Sequence, residues 1–288
     1  MRDRRGRGRS GNNLRIIKRQ EVNSAGGGES FRPHFIFLLP NRDGRLLMRA
    51  VSTSLPFLLA INVCFATGVA LIARAIWLWG AVEVRGDAGE VLFLTLLGVV
   101  WLVVSRKLFF WLGLSVRDDA VERRNPSALI GLCGATISVA IVFAAGNLGE
   151  GPSYSNNIFS AALGTIGWLG LWLLLELAAR VSVSIAEERD LASGIRLCGF
   201  LLATGLICAR AVAGDWHSES ATVRDFFHDG WPAFCLSVFA VFLERCLRPR
   251  RERPFPGWNI SGLLPAVAYL ALAVAWVWHL GRWEGMPR

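Results

Sequence analysis

The stretch "EERDLASGIRLCGFLLATG", residues 187–205, places five ionisable side chains in its first ten positions and is almost wholly apolar after them. A near copy, "ERRNPSALIGLCGATISVA", starts 65 residues upstream at Glu122. Leu132-Cys133-Gly134 matches Leu197-Cys198-Gly199, and Arg124-Asn125 matches Arg189-Asp190. So sharp a change of polarity reads as a chain leaving water for hydrocarbon. Asn125 and Asp190 then stand at N-cap positions, where a side-chain oxygen accepts first-turn amide hydrogens that have no partner within the helix. Pro126 at the first helical position fits the same reading.

Working outward, seven apolar runs can be counted, near 54–79, 90–114, 127–147, 158–180, 192–213, 232–247 and 260–280. Crossing a hydrocarbon core takes about 20 apolar residues. The whole chain of 288 residues is 53% hydrophobic with twelve tryptophans, and its mean hydropathy is +0.42. The expected fold is therefore an all-α polytopic membrane helix bundle of about seven transmembrane helices. The sixth run is the shortest, and its start is expected within the preceding loop.

A net charge of +9 would suit nucleic acid, but the placement of arginine points elsewhere. With the N-terminus in the cytoplasm, the inner segments hold Arg2 to Arg49, Arg106 to Arg124, Arg180 to Arg196 and Arg245 to Arg253. The outer segments hold only Arg85, Arg224, Arg282 and Arg288. This is the positive-inside pattern, with an odd number of helices and the C-terminus outside. No nucleic acid partner is expected. The expected partners are the lipid bilayer and either further copies of the chain or other membrane proteins. "FIFLLP" is too short for the apolar core of a signal peptide, so the first long helix is expected to act as an uncleaved anchor.

The 65-residue repeat spans two helices, so its copies share one orientation and should be related by an axis along the membrane normal. The chain is expected to divide into a basic, disordered cytoplasmic segment (1–50), a first transmembrane helix with its outer loop (51–87) and a first hairpin (88–152). A second hairpin with an outer loop (153–231) and the last two helices, a degenerate third unit (232–288), complete it. Small residues recur in register. Gly131, Gly134, Gly194 and Gly199 are expected to let helix backbones approach closely, as membrane helices require in the absence of a hydrophobic force between them. Gly164, Gly167 and Gly170 suggest a comparable face on the preceding helix.

"ERRNPSALIGLCGATISVAIVFAAG" running into "GEGP", and "EERDLASGIRLCGFLLATGLICARAVAGDW" running into "ATVRDFFHDGWPAF", resemble the bacterial inner-membrane family called domain of unknown function 350, the YjfL-like proteins. The resemblance covers roughly residues 88–250. It implies tandem two-helix units in the bacterial cell inner membrane and brings no established reaction, cofactor or catalytic residue. The long arginine-rich N-terminus and the extra helices at both ends depart from the family's shorter form.

Candidate sites are few. Glu150 and Asp215 are related by the 65-residue shift, and Glu284 and Asp87 sit at comparable exits. These four acids could form an outer mouth that concentrates cations. Charges within or near the apolar runs are Arg74, Glu176, Arg180 and Arg210. Glu176 and Arg180 have the spacing and order of a local ion pair. Arg74 and Arg210 lie near outer helix ends, within reach of Glu83, Asp87, Glu150 or Asp215. His217, His228, Asp215, Glu219, Asp225 and Asp229 crowd one outer segment, without the spacing of a helix-borne zinc motif. "ATVRDFFHDGW" in that segment is expected to lie at the membrane interface, its rings at headgroup depth. The six cysteines lie within or at the ends of the runs and read as small hydrophobes. No catalytic, cofactor or metal residue is assigned. The expected function is a non-enzymatic membrane scaffold, sensor or transport-related subunit. A cation channel or transporter, and a membrane enzyme with an outer-face metal site, remain the alternatives.

Overall fold

The computed structural model of the protein describes residues 44–248 and 257–282, with side chains from Ser54 onward. Residues 1–43 of the expected arm (1–50) and the acid Glu284 lie outside the described residues. The architecture is all-helical. Its elements are α1 (Gly44–Trp79), α2 (Ala88–Leu108), α3 (Pro126–Ala145), α4 (Tyr154–Ala179), α5 (Val181–Ala186), α6 (Leu191–Val212), α7 (Glu219–Leu247) and α8 (Leu264–Leu280). A tight 3₁₀ turn, Phe109–Leu112, extends α2, and π-helical turns precede α3 (Val116–Glu122) and α8 (Asn259–Leu263). Seven of these helical stretches are long and apolar enough to cross a membrane, so the chain is a multi-pass membrane protein in its architecture.

One boundary differs from the sequence reading: α1 already begins at Gly44, inside the segment expected to be an arm. α7 begins at Glu219, within the loop that precedes the sixth apolar run, as expected, so "ATVRDFFHDGW" belongs to the first half of a long helix. Pro232 sits inside it. The apolar run understated α7 because its first three turns are amphipathic and charged.

Burial ranks the helices. In the most apolar windows of α3 and α6, 72% of residues are buried, against 17% for α1 and 28% each for α2, α7 and α8. α3 and α6 thus form the core, while the others turn apolar faces outward, as Leu96, Ile166, Leu177, Phe242 and Val267 do. An apolar side chain exposed on this scale is stable only against lipid or another apolar surface.

Close backbone approach holds the core together. A Cβ on Gly134 would lie 2.7 Å from Cys198 Sγ and 2.9 Å from its Cα; one on Gly194 would lie 2.5 Å from the Ser127 carbonyl oxygen. A Cβ on Gly199 would lie 2.6 Å from Ala266 Cα, and one on Gly131 would lie 3.2 Å from Leu197. These four glycines therefore sit at the α3–α6 and α6–α8 crossings. On α4, Gly164 faces Val142 and Gly167 faces Phe226, whereas Gly170 meets nothing within 4 Å. The expected three-glycine face is a two-glycine face, because Gly170 is turned away from the bundle.

The helix starts follow local chemistry. Asn125 accepts from the amides of Ser127 and Ala128 at 3.0 and 3.4 Å, and Asp190 from those of Ala192 and Ser193 at 3.2 and 3.0 Å. The residues just before these caps, Arg124 and Arg189, both adopt left-handed backbone, with φ of 50° and 54°. Such a conformation costs a non-glycine residue about 1–3 kcal/mol. It turns the chain sharply into the capped helix. The two turns are stitched together: Asn125 Nδ2 donates to the Ile185 carbonyl at 2.6 Å, Ser127 Oγ to that of Asp190 at 2.6 Å, and Arg189 to that of Arg123 at 3.1 Å.

Candidate functional site

The most heavily buried charge lies where α6, α7 and the start of α8 meet. Arg196 is 1% exposed and Glu244 6%. The guanidinium donates to both carboxylate oxygens, Nε to Oε1 at 2.6 Å and Nη2 to Oε2 at 2.8 Å. Its Nη1 donates to the Ser261 carbonyl at 2.6 Å, and Nη2 also reaches Ser193 Oγ at 2.9 Å. Asp190 Oδ2 stands 3.9 Å away. A two-pronged pair of this kind fixes angle as well as distance, since the planar fork of arginine matches a carboxylate. Here it locks three helices at the end of the bundle that carries the arginine-rich turns. Tyr269, 1% exposed, packs edge-on against Phe200 and Phe239 in the same corner, and its hydroxyl has no hydrogen-bond partner among the described residues.

This pair was missed in the sequence. Arg196 reads there as one more arginine near a helix end, and Glu244 as part of "FLERC". One signal was present. The 65-residue shift places Arg196 on Gly131 and Glu244 on Ala179, so two small residues of the first hairpin are replaced together by opposite charges in the second.

Glu176 and Arg180 do not pair. Glu176 accepts from the amide and hydroxyl of Ser182, at 2.9 and 2.5 Å, and so caps α5. Arg180 is exposed, with φ of 50°. The i,i+4 pairing needs helix through both residues, and α4 ends at Ala179. The free carbonyl of Ala178 is instead taken by Arg245, from Nε and Nη2 at 3.1 and 2.8 Å.

At the far end, the loops carrying Glu150 and Asp215 do come together, through backbone. The Trp216 amide donates to the Glu150 carbonyl at 2.8 Å, the Gly214 amide to that of Leu148 at 3.3 Å, and Asp215 Oδ1 accepts from the Glu150 amide at 2.8 Å. Gly149, with φ of +97°, would place a Cβ 2.2 Å from the Gly214 carbonyl oxygen, so only glycine permits this clasp. Asp87 caps α2, accepting from Gly89 and Glu90 at 2.7 and 3.2 Å. It borders a cavity of about 460 Å³ together with Glu83, Glu90, Gly149 and Gly151. The acids thus share one end of the bundle, but the carboxylates of Asp87 and Asp215 are engaged by backbone amides, and that of Glu150 is exposed.

Arg210 pairs with none of the acids proposed for it. Its Nη1 lies 3.7 Å from Asp229 Oδ2, and its Nε donates to the Gly281 carbonyl at 3.3 Å. Arg74 is exposed on α1. In the His217 to Asp229 segment, His228 Nδ1 contacts Asp229 at 2.9 Å and His217 Nδ1 lies 3.2 Å from the Asp215 carbonyl. Among the described residues no three His, Cys, Asp or Glu side chains gather in a metal-holding arrangement.

No protein-family model matches the chain, and no curated protein or solved structure is detectably similar to it.

Proposed function

We propose that the chain is a seven-helix protein of the bacterial inner membrane, N-terminus inside and C-terminus outside, built from tandem helical hairpins of the YjfL-like kind and acting as a membrane scaffold without chemistry of its own. One observation carries the scaffold reading over the channel. The two core helices pack backbone against backbone, a Cβ on Gly134 lying 2.9 Å from Cys198 Cα and one on Gly194 2.5 Å from the Ser127 carbonyl oxygen, and 72% of the residues in the most apolar window of each are buried. Conduction needs an open path with a continuous succession of coordinating oxygens or charges, and helices in such close contact leave no such path between them.

Support for the tandem reading comes from burial at the 65-residue shift. Ser127 and Ala192, Leu132 and Leu197, Trp172 and Ser237, and Ala179 and Glu244 are buried pair by pair. The two serines that begin α4 and α7, Ser153 and Ser218, share backbone angles of −163°, 159° and −166°, 161°.

Proteoliposomes of the full chain are expected to show no cation flux above protein-free vesicles. Flux that falls with Glu150→Gln would overturn the scaffold reading in favour of an outer-mouth channel. Topology has its own test. A reporter active only outside the cytoplasm should score when fused after Gly151 and fail when fused after Asp190; the reverse pattern would invert the arrangement.

A further inference from the structure

At the far end of the bundle, α1, α3, α6 and α8 enclose a groove of about 330 Å³ that carries two arginines, Arg74 and Arg210, on otherwise apolar walls. That volume falls in the ~300–1,000 Å³ range of small-ligand sites. Ala144, Ala145 and Ala209 are among the small side chains that line it. We infer that this groove holds an anionic phospholipid of the adjoining leaflet, an acyl chain lying along its apolar walls and the phosphate reached by the guanidinium of Arg74 at its rim.

Depth, charge and shape agree on this occupant. Arg210 lies two residues from the end of α6 and Arg74 five from the end of α1, at the level of the Gly281 carbonyl that closes α8. Trp79, Trp231 and Trp278, at 37%, 54% and 87% exposure, surround that level as interfacial aromatics do. Arg210 is held rigidly by Gly281 and Asp229, whereas Arg74 has no partner among the described residues and a long stem free to reach a headgroup. A guanidinium at the rim of an apolar slot suits a molecule with a phosphate at one end and hydrocarbon at the other, since arginine's fork matches phosphate oxygens. The inference rests on the chain being in a bilayer but not on which end faces the cytoplasm, nor on the scaffold role.

The test uses the full chain in nanodiscs of phosphatidylcholine doped with a minor fraction of phosphatidylglycerol, with bound lipid counted by native mass spectrometry after release. Wild type should retain phosphatidylglycerol over phosphatidylcholine. Because a basic side chain at a membrane surface contributes about one kilocalorie per mole toward anionic lipid, Arg74→Gln should lower that preference about fivefold. Arg74→Lys should retain most of it. Ala75→Trp, which fills the slot and spares both arginines, should expel the lipid. Equal retention of the two lipids by wild type, indifference to both Arg74→Gln and Ala75→Trp, displacement by inorganic phosphate alone, or a dimer that dissociates with Ala75→Trp would each overturn the inference. Loss of reporter topology with preserved lipid preference would fault the functional reading and leave this one standing.

Discussion

Glu244→Ala should destabilise the detergent-solubilised chain by roughly 3–5 kcal/mol, seen as a large fall in thermal midpoint and in accumulated protein. The reason is the partner left behind. Arg196 is 1% exposed and gives two of its donors to Glu244, and its remaining bonds, to the Ser261 carbonyl and Ser193 Oγ, carry no full negative charge. Asp190 at 3.9 Å already caps α6. A guanidinium left with only the more distant Asp190 as counter-charge would then sit among Phe200, Tyr269 and the α8 backbone. The double variant Arg196→Met, Glu244→Leu is expected to recover most of the loss, because a buried pair costs much of its attraction in desolvation and apolar side chains of similar volume often replace it without penalty. If Glu244→Ala melts like wild type, the pair does not hold α6, α7 and α8 together. If the double variant stays as unstable as the single, the pair contributes through geometry that apolar packing cannot replace.

Gly199→Leu should cost at the upper end of about 1–3 kcal/mol, the range of overpacked cores. A side chain at this position meets the Ala266 backbone at 2.6 Å, and backbone cannot rotate aside as a side chain can. α6 and α8 would have to separate, carrying the Arg196 to Ser261 hydrogen bond with them. Gly134→Leu meets Cys198 Cα at 2.9 Å and should behave alike at the α3–α6 crossing. Gly170→Leu is the matched control. Nothing lies within 4 Å of it, and replacing glycine in a helix gains up to about 1 kcal/mol of propensity, so it should melt at or above wild type. Equal effects of Gly199→Leu and Gly170→Leu would mean that the α6–α8 crossing tolerates separation.

The number of membrane-length helices, the two capped turns at Asn125 and Asp190, and the glycines at the core crossings were all legible in the chain before it folded. Each is a local property: the length of an apolar run, a side-chain oxygen two or three residues before an amide, a small residue recurring along one helix. Tertiary structure alone decided which charges are buried and what they do. Arg196 and Glu244 are 48 residues apart, on helices whose hydropathy gives depth but not facing direction. Only the packing of α7 and α8 against α6 removes both from water and from lipid. The same limit explains Glu176, whose partner depended on α4 stopping one residue before Arg180, and Asp215, whose carboxylate went to a backbone amide on another loop. A linear sequence fixes how far along its helix a charge sits; what that charge faces is settled by the neighbours, and in this bundle the neighbours come from distant parts of the chain.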